Sequence, residues 1–243
     1  MMSQGGGVKQ VGTGNQLQSE VPSRFRRVVS SSIGTKLLMG LTGLALFAYM
    51  LVHLAGNALI FGGAEFFNEY SHKLVSNPLI LPLEFGLLAI VLVHVYKAIT
   101  MWLANKAARP VGYAKKEPAR HTSRKSLASS TMIASGLFLL IFIPIHVKQF
   151  KFGTWYQTAS DAAIRDLHRT EIEVFQNPLW VAFYVVGTLL VGLHLRHGIA
   201  SGVQSLGLDH PVYTRRLTAV GILFAILIGG GLALIPIWVY FTY

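Results

Sequence analysis

The chain contains five apolar stretches that are each long enough to cross a lipid bilayer. They cover residues 33–61, 79–103, 127–147, 179–203 and 217–241. About 20 residues of α-helix, at ~1.5 Å per residue, span the ~30 Å hydrocarbon core of a membrane. The pattern therefore predicts an all-α membrane protein with five transmembrane helices.

The composition of the chain favours the same class of protein. Charged residues make up 13% of the sequence and the mean hydropathy is +0.50, which argues against a soluble protein. Residues 1–30 are rich in Gly, Gln and Ser and lack the apolar core of a signal peptide. We expect them to form a flexible or interfacial leader, and we expect the membrane domain to cover residues 31–243.

The basic residues lie mainly on one predicted side of the membrane. They cluster before the first helix, between residues 106 and 125, and around the connection that follows the fourth helix. Because cytoplasmic loops carry an excess of Lys and Arg, the N-terminus is predicted to be cytoplasmic and Tyr243 to lie outside. The net charge of +11 then reflects topology and contact with anionic lipid or an acidic partner, and a nucleic-acid partner is not supported.

Two connections are long enough to contribute structure. The basic connection "NKAARPVGYAKKEPARHTSRKS" is interrupted by two prolines and is predicted to be a loop. The connection over residues 148–177 contains "SDAAIRDLHRTEIEVF", whose acidic start and apolar spacing predict an interfacial helix. We expect this helix to cover one end of the bundle.

The second and fourth apolar stretches repeat each other. Asn-Pro-Leu at residues 77–79 stands at the same distance before His94 as Asn-Pro-Leu at residues 177–179 stands before His194. The first and third stretches repeat each other less exactly. Thr-Gly precedes His53 by the same spacing as Ser-Gly precedes His146. The sequence thus indicates an inexact two-fold repeat that includes four intramembrane histidines.

The helix rise places these four histidines at two depths. His94 and His194 lie roughly 24 Å from the outer ends of their helices, whereas His53 and His146 lie near the outer ends of helices that run the opposite way. The two levels are about 15 Å apart. Two pairs of imidazoles on four antiparallel helices are what bis-histidine ligation of two b-type haems requires. The absence of cysteine excludes disulfides, thiolate-held iron–sulfur clusters and covalent c-type haem.

Small and hydroxyl residues accompany the deeper level. Thr42 and Ser135 lie three helical turns before His53 and His146, so they and the adjoining glycines are expected to line the inner haem. The candidate haem-lining residues are Thr42, Gly43, Ser135 and Gly136. Small residues at such sites also serve plain packing between membrane helices, and this alternative applies to each of them.

Each histidine has an alternative interpretation, because one intramembrane imidazole is also suited to a proton relay or a hydrogen-bonded packing role. His197 is the chief rival to His194 as a ligand, although only His194 matches the depth of His94. Glu84 is predicted to be a hydrated interfacial carboxylate or part of a proton path. The histidines in connections are predicted to be solvated: His72, His121, His168 and His210.

With these residues in place, the chain resembles the cytochrome b subunit of succinate:quinone oxidoreductases, specifically the single-chain, five-helix, dihaem membrane anchor of succinate dehydrogenases and fumarate reductases. The likeness runs from about Ser30 to the last helix. It rests on "SSIGTKLLMGLTGL", on "HLAGNALIF" with His53, on "NKAARPVGY", and on "GLHLRHGIASGVQSLGLDH" with His194.

The resemblance implies that His53 and His146 bind a distal haem near the outer face and that His94 and His194 bind a proximal haem near the cytoplasm. It also implies two cytoplasmic partners, an FAD flavoprotein that carries the dicarboxylate active site and an iron–sulfur subunit that exchanges electrons with the proximal haem. The basic loop is then a docking surface. The electron acceptor or donor in the membrane is a quinone, most often menaquinone in this family, and the location is the bacterial inner membrane.

Other family features transfer less directly. A carboxylate near the distal haem serves quinol proton exchange in some members, and the candidates here are Glu65 and Glu69. A second family carboxylate, two residues before the fourth-helix ligand, is replaced by Gly192 in this sequence. Partners for the haem propionates are suggested by depth: Lys36, Arg124 and Ser130.

Two alternatives to this function stay open at this stage. A cytochrome b anchor of another respiratory enzyme, such as a hydrogenase or a formate dehydrogenase, has the same haems and different soluble partners. A haem-free transporter, in which the histidines relay protons, is the alternative from another class of protein. Broken helices are expected of such a transporter, and the apolar stretches here are interrupted only by Pro144 and Pro236.

Overall fold

The computed structural model describes residues 31–108, 131–208, 210 and 213–243. The described part of the chain is helical, with an isolated bridge between Gln157 and Arg165 in place of any strand. Its α-helices are α1 (Ser32–Asn57), α2 (Ala64–Val75), α3 (Ile80–Ala107), α4 (Met132–Phe150), α5 (Leu167–Phe175), α6 (Pro178–Ser205) and α7 (Tyr213–Thr242). The predicted leader, residues 1–30, lies outside the described residues.

Five of these helices are long and apolar enough to cross a membrane. They are α1 with the 3₁₀ turn that extends it to Gly62, and α3, α4, α6 and α7. The prediction of an all-α protein with five membrane-spanning helices is therefore confirmed. The predicted start of the third span, residue 127, lies outside the described residues.

The two short helices, α2 and α5, cover the end of the bundle at which α1 and α4 finish, and we call this end the cap side. The interfacial helix α5 was predicted, and Asp166 caps it by accepting a hydrogen bond from the Arg169 N–H at 3.0 Å. Helix α2 was not predicted. It starts after Gly63, whose φ of 93° ends the preceding turn in a conformation that favours glycine.

A buried polar network joins α2, α5 and the end of α7. Asn68 donates to Asp166 at 2.8 Å and accepts from the His168 N–H at 2.9 Å, and His168 Nε2 lies 3.2 Å from the hydroxyl of Tyr243. His168 is only 5% exposed, so the prediction that it is solvated was wrong. Burial lowers the pKa of His168, opposed by the charge of Asp166, and the neutral ring serves as a structural hydrogen-bonding group.

Glycines set the closest helix contacts. The most extensive packing is between α6 and α7, where a Cβ added to Gly229 would lie 2.9 Å from the Cα of Gly192. Gly192 is buried against Ala225, so a carboxylate side chain at this position has no room. Gly40 and Gly202 bring α1 and α6 together in the same way. Small residues of this kind let membrane helices approach closely enough for dispersion contacts to hold them.

The remaining helix contacts leave the bundle interior more open. In the described part of the chain, α1 packs on α3 and on α6, and α4 packs on α6. Neither α1 with α4 nor α3 with α6 is closely packed. Each of these two separated helix pairs carries one of the predicted histidine pairs.

We expect Gly229→Ala to destabilise the protein, because its methyl group meets the backbone of α6. Overpacking of this kind costs about 1–3 kcal/mol, which exceeds the ~1 kcal/mol gained when Ala replaces Gly in a helix. Gly230→Ala is the matched control, since a Cβ there has no atom within 4 Å. Thermal unfolding in detergent is the measurement, and equal melting temperatures for the two variants would contradict the packing described above.

Candidate functional site

The histidine pair nearer the N-terminal ends of α1 and α4 consists of His94 on α3 and His194 on α6, and we call it the N-side pair. The centres of the two rings are 6.3 Å apart and their planes make an angle of 62°. The Thr42 hydroxyl lies 3.1 Å from Nδ1 of His94, and the Ser135 hydroxyl lies 3.1 Å from Nδ1 of His194. A hydroxyl on a neighbouring helix therefore holds each ring.

The direction of these hydrogen bonds follows from the other contacts of the hydroxyls. Thr42 donates its proton to the Leu38 carbonyl at 2.7 Å, and Ser135 donates to the Met132 carbonyl at 3.1 Å. Each hydroxyl oxygen is then left to accept from the imidazole, which places a proton on Nδ1 of the histidine. The lone pair of Nε2 is free to bind another group. This is the tautomer of a metal-ligating histidine whose second nitrogen is oriented by a neighbour.

Glycine lies against both rings of the N-side pair. A Cβ added to Gly43 would lie 3.4 Å from Cε1 of His94, and one added to Gly136 would lie 3.6 Å from Cε1 of His194. These distances are ordinary contact for a methyl group, and a larger side chain would occupy the space beside the ring. The space beside each imidazole is therefore kept open by the residue that follows the hydroxyl.

The two-fold repeat seen in the sequence is present in these contacts. Thr42 and Gly43 of α1 meet His94 of α3 just as Ser135 and Gly136 of α4 meet His194 of α6. The Asn-Pro-Leu motifs also match, because in each the asparagine side chain accepts a hydrogen bond of 2.9 Å from the leucine N–H. The motif stands at the same distance before each histidine, although α6 begins at the motif proline and α3 begins two residues later in the corresponding register.

His53 on α1 and His146 on α4 form the second pair, which lies near the cap side, and we call it the cap-side pair. Their ring centres are 5.6 Å apart and their planes make an angle of 81°. The hydroxyl of Tyr49 lies 3.4 Å from Nδ1 of His53. Nδ1 of His146 is buried and has no hydrogen-bond partner in the described part of the chain. The cap-side pair is therefore less symmetric than the N-side pair.

Aromatic rings enclose His146. Phe142 is stacked on it with ring centres 5.9 Å apart, and Phe150 and Tyr184 lie at 5.2 and 6.0 Å. None of these residues was predicted from the sequence to belong to the site. Phe142 and Phe150 lie one turn to either side of His146 on the same helix face, which is the signal that could have identified them.

The two pairs form separate levels. Thr42 contacts the N-side pair, and His53 lies eleven residues further along α1, which corresponds to about 16 Å of helix. The same interval separates Ser135 from His146 on α4. The structure thus brings the predicted partners together at two levels of the bundle.

The geometry of both pairs suits a metal between two imidazoles. A histidine nitrogen lies about 2.0–2.1 Å from a metal that it binds, so two facing nitrogens are about 4 Å apart and the ring centres are farther apart by roughly a ring radius on each side. The spacing of 6.3 Å in the N-side pair matches this sum, and the spacing of 5.6 Å in the cap-side pair is somewhat shorter. No hydrogen bond in the described part of the chain reaches Nε2 of any of the four histidines.

A bare metal ion does not fit these pairs. Among the described residues there is no group of three or more His, Asp or Glu side chains placed to hold a metal. Two imidazoles alone leave most coordination positions of a transition metal open. Haem fits the donor set, because the macrocycle supplies the equatorial ligands and the protein supplies only the two axial nitrogens.

The structure does not bring every sequence-predicted residue to the histidines. Glu65 and Glu69 are exposed on α2, which packs against α5 and the 3₁₀ turn. Glu69 forms an ion pair with Lys73 at 2.7 Å, and this hydrogen bond lowers the pKa of its carboxyl group. No hydrogen bond or ion pair among the described residues joins either carboxylate to the cap-side pair, so their role as quinone-site residues stays a prediction.

The residues predicted to bind the haem propionates are either exposed or outside the described residues. Lys36 is exposed in the second turn of α1, and Arg124 and Ser130 lie outside the described residues.

The rival ligand His197 is half-buried and near enough to His194 to interact electrostatically, but the ring in contact with His194 is that of His94. The paired arrangement therefore contains His194, in agreement with the depth argument.

Two carboxylates gain a defined environment from the fold. Glu84 forms an ion pair with Lys151, which joins the start of α3 to the end of α4. Glu171 on α5 is only 4% exposed, and its Oε2 atom has no hydrogen-bond partner in the described residues. Desolvation raises the pKa of Glu171 to about 8. No sequence pattern indicates this burial, because it depends on how α5 packs against the other helices.

We expect Glu171→Gln to remove a pH dependence of stability. The pKa of Glu171 in the folded protein is above its ordinary value of 4.5, so the folded state binds more protons between the two values and stability falls as pH rises toward 8. The slope is at most about 1.4 kcal/mol per pH unit, and it ends above pH 8. Melting temperatures of wild type and variant from pH 5 to 9 measure it, and parallel curves would contradict the burial of an unpaired carboxyl group.

Comparisons with protein-family models, with curated proteins and with solved structures found no match to this chain. The inference of function therefore rests on the side chains that the fold brings together. These are two cross-bundle pairs of imidazoles, with oriented rings in the N-side pair and an aromatic enclosure in the cap-side pair.

Proposed function

We propose that this chain is a membrane-anchor cytochrome b that carries two haem b groups and belongs to a succinate:quinone oxidoreductase. The single observation that carries the haem assignment is the meeting of His94 with His194 and of His53 with His146 across helices that are not closely packed. A packing role for the histidines does not account for four imidazoles, at two levels, whose Nε2 atoms have no hydrogen-bond partner among the described residues.

The residues of the chain have distinct tasks in this proposal. The four histidines would hold the iron, and the hydroxyls of Thr42 and Ser135 keep Nδ1 of His94 and His194 protonated, so that Nε2 of these two rings would be the nitrogen available to the metal. Gly43 and Gly136 keep the space beside the rings open. Haem b, when bound, supplies one-electron transfer. Phe142, Phe150 and Tyr184 enclose the ring of His146.

The partners and the orientation follow from the resemblance and the charge pattern. The N-side pair is the proximal site, near a cytoplasmic iron–sulfur subunit and an FAD flavoprotein, and the basic residues 106–125 belong to the docking surface. The cap-side pair is the distal site, near the outer face of a bacterial inner membrane. The quinone, which we take to be menaquinone, reacts on this chain, whereas the dicarboxylate reacts on the flavoprotein.

A haem-free proton-coupled transporter accounts less well for the geometry. Proton relays need a continuous row of groups that donate and accept in turn. Nδ1 of His146 is instead buried with no hydrogen-bond partner among the described residues, and its ring is enclosed by Phe142 and Phe150. The continuous α3 and α6 also lack the broken segments of many transporters.

We expect His94→Ala and His194→Ala to lose the same haem, and His53→Ala and His146→Ala to lose the other one. The reason is that each iron depends on both imidazoles of a pair. Reduced-minus-oxidised spectra and haem content per chain measure the loss. His197→Ala is the control and should retain both haems. Wild-type protein without a b-type absorption band would overturn the haem assignment, and loss of different haems within one pair would overturn the pairing.

We expect the tagged chain, extracted in mild detergent, to copurify with an FAD flavoprotein and an iron–sulfur subunit. Succinate added to this complex should then reduce the b-type haem, because the flavoprotein supplies the electrons. Mass spectrometry of the subunits and the visible spectrum are the measurements. Copurification with a hydrogenase or a formate dehydrogenase subunit would assign the anchor to another respiratory enzyme while leaving the haem sites intact.

A further inference from the structure

A groove on the surface of the bundle, between α6 and α7, ends at an arginine for which the haem sites have no use. We call it the α6–α7 groove, and its volume is about 420 Å³. Gly192 and Gly229, which bring the two helices together, lie at its floor. Exposed apolar side chains form its walls, among them Leu189 and Ile226. Apart from Arg196, the described residues that line the groove are apolar.

The groove covers one half of the bilayer. At ~1.5 Å per residue, Leu189 lies about 16 Å and Arg196 about 27 Å from Pro178, where α6 starts at the cap side. The hydrocarbon core is ~30 Å thick, so the groove runs from its middle to its N-side boundary, at the end of the bundle where α1 and α4 begin. Because long basic side chains extend toward the membrane surface, the guanidinium of Arg196 reaches the depth of the phosphate groups in the N-side leaflet.

A second arginine lies in line with the groove, beyond its N-side end. Arg215 comes seven residues before Ile222 on α7, which places it on the same helix face and about 10 Å farther along. Arg196 and Arg215 are both exposed. No hydrogen bond or ion pair among the described residues involves either guanidinium, and neither α6 nor α7 contains an acidic residue. Two positive charges therefore lack a described counter-charge at this end of the groove.

A phospholipid phosphate fits these two arginines. A guanidinium binds phosphate through two parallel charge-assisted hydrogen bonds. Basic pockets between membrane helices bind anionic lipid headgroups in the same way. The acyl chain attached to such a headgroup is apolar and runs from the membrane surface toward the bilayer middle, which is the course of the groove. One lipid molecule therefore satisfies both the charged end and the apolar walls.

Two other occupants fit less well. Copies of the chain in one membrane share the same orientation, so a two-fold axis between them runs along the membrane normal and brings equal depths together. Each Arg196 would then face its counterpart in the other copy, and like charges at close range repel each other. A quinone headgroup is neutral and leaves both arginines without a counter-charge.

We propose that the α6–α7 groove binds one anionic phospholipid of the N-side leaflet, with its phosphate held by Arg196 and Arg215 and an acyl chain lying along the groove toward Leu189. This inference goes beyond the proposed function and is independent of it, since it uses no residue of either histidine pair.

The recognition of the headgroup is tested by native mass spectrometry of the full chain, purified in a neutral detergent with any subunits that remain bound. The probes are phosphatidylglycerol and phosphatidylcholine with identical acyl chains. We expect phosphatidylglycerol to bind about tenfold more tightly, because only its net negative charge is complementary to the arginines. Arg196→Gln and Arg215→Gln should each reduce this preference. Arg216→Gln is the matched control and should retain it, since Arg216 is also exposed but lies about 100° around the helix from Arg215.

The apolar part of the site is tested by Ile226→Trp. Ile226 is 67% exposed, so a larger side chain there fills the groove without entering the helix contact. It should weaken the binding of both lipids. Leu223→Trp is the control, because Leu223 is 64% exposed on the same helix and does not line the groove. Melting temperatures measured without added lipid should be the same for wild type and both variants, whereas added phosphatidylglycerol should raise that of wild type and of Leu223→Trp.

The contrary outcomes are distinct. Equal affinity for the two lipids, or a preference that persists in Arg196→Gln, overturns the role of the arginines. Binding of glycerol phosphate as tight as that of phosphatidylglycerol overturns the role of the groove. A dimer that Ile226→Trp dissociates, or copurified quinone that this substitution displaces, gives the groove another occupant and overturns the proposal. If Arg196→Gln does not fold, Arg215→Gln and Ile226→Trp decide.

Discussion

The hydrogen bond between a helix hydroxyl and the Nδ1 atom of a histidine on the neighbouring helix is the interaction on which the N-side level depends. Thr42 and Ser135 each use their own proton on a backbone carbonyl, so they accept from the imidazole and fix its tautomer. Without a fixed tautomer, either nitrogen of each ring could face the interior. The orientation of His94 and His194 in the proposed cofactor site therefore depends on the two hydroxyl groups.

Closely packed and widely spaced helix pairs have different roles in this bundle. Glycine contacts hold α1, α6 and α7 together with their backbones nearly touching. Helices α3 and α4 attach to this group at one side each, so that their histidines face α6 and α1 across an interval that no close helix contact fills. In a membrane, where lipid is as apolar as the helix surface, such an arrangement needs a filled interior to be stable, and bound cofactor would supply the missing contacts.

Much of this arrangement could be predicted from the sequence, because the position of a residue along a membrane-spanning helix gives its depth in the bilayer. That conversion gave the five spans and the partner of each histidine. It does not give the direction of a side chain around the helix axis, and therefore Tyr49 and Tyr184 were missed. It also fails outside the membrane. Helix α2 and the burial of His168 and Glu171 depend on contacts between distant connections, which no local pattern encodes.

Helix α7 carries no histidine, but it affects the direction in which the side chain of His194 points. Its Gly229 fits against Gly192 of α6, two residues before His194. Two positions on a helix differ by about 200° around the axis, so the face of α6 that is pressed onto α7 is nearly opposite to the face that carries the imidazole. The glycine contact thus fixes the rotation of α6 about its own axis. Bulk introduced into this contact between α6 and α7 would turn His194 away from His94 without touching either ring.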